Sequence, residues 1–183
     1  MDKGKAVGMN GILAMVAAGI GLIIAIAFTV VYGLMLKDLD AVPESDRCVA
    51  YENYEYVEVY AKWRFVIEFG FGMWMAMIFV ALIAMFAGCN LVLKCMNCCI
   101  NCCLQVPFIV QTVFLGVNRY GWFGSTCSRE ESSFHELGAQ MNNVFIAQCV
   151  CWYVYYYCNN CATFQNKQEW ERKSKEWAQR HGY

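Results

Sequence analysis

The chain has 183 residues, of which 59% are hydrophobic and only 16% charged, with a net charge of −1. Soluble globular domains carry about a quarter charged residues, so this composition excludes an ordinary water-soluble enzyme. Near-neutrality without a basic stripe also excludes a nucleic-acid binder, which must neutralise phosphates.

The shortage of charge is concentrated in four uncharged runs, Ala6–Leu36, Phe69–Leu93, Cys95–Asn118 and Leu137–Asn166. Each exceeds the roughly 20 residues that a helix needs to cross the hydrocarbon of a bilayer. The expected fold is therefore all-α, an integral membrane four-helix (tetraspan) bundle forming a single domain with short loops.

The first span is expected over about 7–36. Its apolar run is longer than the h-region of a signal peptide, so it reads as a permanent span. Ala17, Gly21 and Ala25 form a small-residue row, the kind that lets helices approach closely in a membrane.

The stretch after it, Asp38 to Lys62, is acidic and aromatic. If the second helix extends upward through it, Glu52, Glu55 and Glu58 share one face. The tyrosines Tyr54, Tyr56 and Tyr60 point to a protein contact, since Tyr is enriched in interface cores.

The second span is expected over about 63–93. Glu68 is the acid nearest a span, and Arg64 precedes it by one helical turn. An interfacial Arg–Glu pair is the preferred reading, with a pore-lining carboxylate as the alternative. Lys94, the lone charge between spans two and three, is expected to mark a tight turn.

The third span is expected over about 95–117, with Pro107 inside it. Gln105 and Gln111 line a polar path or bridge neighbouring helices. The fourth is expected over about 140–161, followed by a helical tail over 167–183. Three Glu-before-base pairs at four-residue spacing support that tail, and Trp170 and Trp177 give it a face for a membrane surface or a partner.

Four spans place both termini on one side. Eight Lys and Arg residues fall on that side and six on the other, which puts the termini in the cytosol. The twelve cysteines then sort by compartment. Cys48 and Cys127 lie one in each outer loop and are expected to form a disulfide in an oxidising exterior. Cys95, Cys98, Cys99, Cys102 and Cys103 fall within a 140° stripe at 100° per residue. Cys158 and Cys161 lie at matching depth on the fourth span.

Acylation and plain packing compete equally for these inner cysteines, with a zinc site third. The expected metal and cofactor complement is therefore none, apart from acyl chains or bound lipids. No base stands near a thiol to make it a catalytic nucleophile, since His135 belongs to the outer loop.

The layout resembles tetraspan membrane proteins in architecture: termini inside, two outer loops and juxtamembrane cysteines. The cysteine signatures of tetraspanins, claudins and connexins are absent from its loops. The expected partners are the bilayer and other membrane proteins or further copies of the chain. The expected role is a non-enzymatic scaffold or accessory subunit in a plasma membrane or endomembrane. A pore subunit, and a small subunit of an energy-transducing complex in the mitochondrial inner membrane, are the alternatives.

Overall fold

The computed structural model describes residues 3–52, 55–87 and 91–181. Side chains are described for all of these except 3–14, 52, 87, 91–98, 101–102, 155–170, 173–178 and 181. The fold is mostly helical. It comprises α1 (Lys3–Asp40), β1 (Val49–Glu52), β2 (Glu55–Glu58), α2 (Val59–Ala87), α3 (Leu91–Tyr120), α4 (Trp122–Cys127) and α5 (His135–His181). By compactness the chain divides into Met1–Phe145 and Ile146–Tyr183, with α5 continuing across the boundary.

Two segments among the described residues are long and apolar enough to cross a membrane, Met15–Asp40 and Val59–Phe86. The expected third and fourth spans fall partly outside the described side chains, at 95–98, 101–102 and 155–161.

The all-α expectation holds for the long elements and fails in the first loop. Cys48 to Glu58 does not extend α2. Val49–Glu52 and Glu55–Glu58 pair instead as antiparallel strands, with Tyr51 opposite Tyr56 and Glu52 opposite Glu55. The physical reason is the density of β-branched and aromatic residues over Val49–Val59, which favours strands. Glu55 and Glu58 consequently point to opposite faces, and the expected acidic helix face does not exist.

A second correction concerns Lys94. α2 ends at Ala87 and α3 begins at Leu91, so Lys94 belongs to the first turn of α3. A lone lysine is a good helix former and does not stop a helix. α3 likewise passes through Pro107 without interruption.

In the first unit, α1 packs along α2 and α2 along α3. α1 and α3 end at the same face where α2 and α5 begin, and the short elements cap that face. The most buried residues lie just beneath this cap. They are Tyr32, Met35 and Leu39 of α1, Trp63 and Ile67 of α2, Leu115 of α3, and Phe134 with Met141. On α1 the spacing from Phe28 through Tyr32 and Met35 to Leu39 is 4, 3 and 4 residues, one stripe of a helix.

Outside that stripe the helices remain apolar. Ile23 is 69% exposed, Phe79 61% and Val106 65%, whereas Gln111 is fully buried. This reverses the pattern of a water-soluble bundle and fits hydrocarbon as the surrounding solvent.

The small row on α1 is only partly a contact among the described residues. Ala25 is buried, but Ala17 and Gly21 are exposed, and a Cβ on Gly21 would meet nothing within 4 Å.

A different glycine carries the close approach. The Gln111 amide donates to the Tyr32 hydroxyl at 2.7 Å, and both groups lie over Gly70. A Cβ at Gly70 would sit 2.5 Å from Tyr32 Cζ and 2.8 Å from Gln111 Nε2, inside contact distance. Gly72, on the exposed side of the same helix, has open space around it.

The two glycines therefore predict opposite signs. Gly72→Ala gains helix propensity, roughly 0.5–1 kcal/mol. Gly70→Ala forces three helices apart and is expected to cost about 1–3 kcal/mol net. Thermal unfolding of the two variants side by side checks this, and equal shifts would show that the Gly70 contact is not tight.

Candidate interaction surfaces at the disulfide-braced cap

The cap begins where α1 stops. Pro43, three residues beyond Asp40, cannot continue the helix and starts a 3-10 turn over Glu44–Asp46. The chain then reaches Cys48, which is bonded to Cys127 at the end of α4, with 5.8 Å between their Cα atoms. The bond joins the two loops across 79 residues of sequence.

Neighbouring contacts reinforce that junction. Trp122 Nε1 donates to the Tyr51 carbonyl at 3.2 Å, and the Ser133 hydroxyl to the Asp46 carbonyl at 2.7 Å. Lys62 lies over the Phe123 ring, 4.1 Å from its centroid. Gly124 is required here because a Cβ would run into the Asn118 and Arg119 carbonyls at the end of α3.

Beneath the cap Trp63 is the keystone residue of α2. Its indole donates to the Asn118 carbonyl of α3 at 3.1 Å and meets the Phe134 ring edge-on, with centroids 5.4 Å apart. Arg119 donates to the Gly138 carbonyl at 2.8 Å, and Gln140 to Asp38 at 3.2 Å, which ties the start of α5 to α3 and α1. Tyr120 donates to Asn142 in the same region.

A belt of charge rings the junction between cap and apolar shaft. Arg64 donates to Glu68 at 2.8 Å and lies 3.3 Å from Asp40. Tyr60 donates to Asp40 at 2.8 Å and accepts from Arg64 at 3.0 Å. The Arg47 guanidinium covers the Tyr60 ring at 4.0 Å and lies 3.5 Å from Glu58. Two guanidiniums, Arg47 and Arg64, are thus shared among three carboxylates, Asp40, Glu58 and Glu68, which leaves the belt net acidic.

The structure thus places the sequence-derived residues as follows. Cys48 and Cys127 come together. Glu68 is engaged by Arg64. Gln111 is buried against Tyr32, whereas Gln105 is exposed. Tyr56 is 80% exposed.

Tyr60 requires correction as a partner-contact residue. It is only 8% exposed because its ring lies under Arg47 and its hydroxyl is held by Asp40. Cys99 and Cys103, one turn apart on α3, are both exposed free thiols. The side chains of Tyr54, Cys95, Cys98, Cys102, Cys158, Cys161, Trp170 and Trp177 lie outside those described.

Among the described residues no three His, Cys, Asp or Glu side chains gather to hold a metal ion.

Sequence reasoning misses Trp63, Asp40, Tyr32 and Gly70. Only Trp63 carries a signal, as a lone Trp among charged residues at a helix start. The partners of the others lie far away in sequence. No known protein family matches this chain, and no curated protein or solved structure is recognisably similar to it.

Proposed function

We propose that this chain is a non-enzymatic tetraspan membrane protein that acts as a scaffold or accessory subunit of a larger membrane assembly. One observation carries the topology: the Cys48–Cys127 bond gathers both loops at one end of the bundle.

α2 leaves that end and, at 29 residues, reaches about 43 Å at 1.5 Å per residue. α3, with 30 residues, returns to the same end, where Trp63 of α2 bonds its Asn118. If α2 crosses a bilayer, α3 crosses it back. On this reading α1 and α5 also cross, which makes four crossings and puts both termini in the cytosol. Lys3, Lys5, Lys94 and the basic tail then lie in the cytosol, in keeping with the positive-inside rule. Cys99 and Cys103 fall towards that side of α3, where exposed thiols are acceptors for palmitoyl chains.

Lateral assembly is supported by the exposed small residues Ala17 and Gly21 on α1. In hydrocarbon, apolar burial supplies no drive for association, and close backbone approach does. A Cβ at Gly21 meets nothing within 4 Å among the described residues, so Gly21→Ile is expected not to lower the melting temperature of the chain.

Native mass measurement in mild detergent is expected to show species heavier than the 20.9 kDa chain, shifted towards monomer by Gly21→Ile. A strictly monodisperse monomer with no bound partner would overturn the proposal.

A further inference from the structure

We propose that the outer edge of β2, with the Tyr51–Tyr56 face beside it, is a docking strand for an extended, Lys- or Arg-rich segment of a partner protein. This deepens the assembly reading and rests on it, because it names a partner chemistry for the cap.

The first observation is an open strand edge. Val59 N–H donates to the Cys48 carbonyl at 3.2 Å, which continues the hairpin register as a hydrogen-bonded pair. Antiparallel pairs alternate, so Ala50–Val57 is also hydrogen-bonded, while Tyr51–Tyr56 and Val49–Glu58 turn their backbone groups outward. On the β1 side the outward Tyr51 carbonyl is taken by Trp122 of α4. On the β2 side no backbone bond to the outward groups of Tyr56 occurs among the described residues. Such an edge is a template for another strand.

The second observation is the surface beside it. Tyr51 and Tyr56 share one face of the hairpin with ring centroids 5.1 Å apart. They are 54% and 80% exposed, with Val49 at 52% and Trp122 at 62%. An apolar and aromatic face of this kind, on a domain whose core is already closed by Trp63 and Phe134, has no internal use.

The third observation is charge, and it selects the occupant. Of the fifteen carboxylates and fourteen Lys and Arg residues, eleven carboxylates and six bases lie within 37–68 and 119–140, the segments that build the cap and its belt. The cap therefore carries −5 while the whole chain carries −1. Glu55 lies on β2 itself, is exposed and makes no ion pair among the described residues. A strand added at this edge sets its own side chains opposite Glu55 and the Tyr56 ring. The two lie on opposite faces of β2, so Lys or Arg at neighbouring positions of the added strand meets them, one by ion pairing and one by cation–π contact. The β2 edge is only four residues long, so charge and ring contacts supply most of the specificity.

The test uses the full chain in nanodiscs with its disulfide intact and three labelled peptides. One carries lysine at consecutive positions, so that both faces of the added strand present it, one replaces lysine by glutamate, and one is the lysine peptide N-methylated at alternate amides. The lysine peptide is expected to bind, more weakly as salt rises, and to protect the Tyr56 amide from hydrogen exchange. Glu55→Lys and Tyr56→Ser are each expected to weaken it by about tenfold. N-methylation is expected to abolish binding.

Equal binding of the N-methylated or glutamate peptide would overturn the proposal, as would failure of the lysine peptide to bind. A Tyr56 amide already protected without peptide would mean that the edge is already occupied, which also overturns it. Native mass of the same sample separates the two readings. An assembled protein that ignores the peptide loses this inference alone, and a bare monomer that binds it loses the assembly reading instead.

Discussion

Replacing Cys48 and Cys127 together by alanine is expected to lower the stability of the detergent-solubilised protein by about 2–4 kcal/mol, read as a fall in melting temperature. The closed segment spans 79 residues. Cross-linking a loop of that length restricts the unfolded chain by roughly 4–5 kcal/mol on the chain-entropy account, the upper limit here. The actual figure is smaller because the spans stay helical in detergent, so the unfolded reference is already restricted.

The loss is expected to fall on the cap. Near-ultraviolet dichroism from Trp63 and Trp122 should collapse at lower temperature, while far-ultraviolet helix content changes little. Reduction of the unmutated protein should reproduce the shift once the bond is reached, and Cys127, fully buried, slows that step. An unchanged melting temperature in the double variant would show that the hydrogen bonds from Trp122 and Ser133 suffice to hold the loops.

The pairing of those two cysteines is legible in the sequence alone, because each segment joining the uncharged runs on the outer side holds a single cysteine. The helices are legible for a related reason: charge is expelled from hydrocarbon, so its absence marks a span. Which face of each helix points inward is not legible. α1 and α2 are apolar all round, and a lipid-facing isoleucine reads the same as a core isoleucine. That is why the small residues Ala17 and Gly21 read as packed positions while Gly70 draws no notice.

The hairpin escapes sequence reasoning for a different reason. Its strands are four residues each and adjoin a long helix with no intervening break, so the helical pattern of α2 extends over them unless the β-formers at Val49–Val59 are weighed separately. Residue type alone puts Tyr60 at the surface, and only the fold brings Arg47 and Asp40 to cover it.

Trp63→Ala is expected to cost about 3–5 kcal/mol, comparable to losing the disulfide. Trp63 is fully buried, so truncation leaves a cavity bounded by Phe134 and removes the bond to the Asn118 carbonyl. Trp63→Phe restores most of the volume but not the N–H, and the difference between the two variants isolates packing from the hydrogen bond, the latter worth about 1–3 kcal/mol.

Trp122 is the natural control. It also donates to a backbone carbonyl, yet it is 62% exposed, so Trp122→Ala is expected to cost well under half as much. The Trp63 effect should also fail to add to that of the cysteine pair. Trp63 joins α2 to α3 directly beneath the point where Cys48 and Cys127 join the loops, so once either is gone the other braces a cap that is already loose. A triple variant whose loss equals the full sum would place the two in independent units. A loss well below the sum would make the cap a single cooperative structure, the state that the β2 edge needs if it is to be presented as a rigid strand.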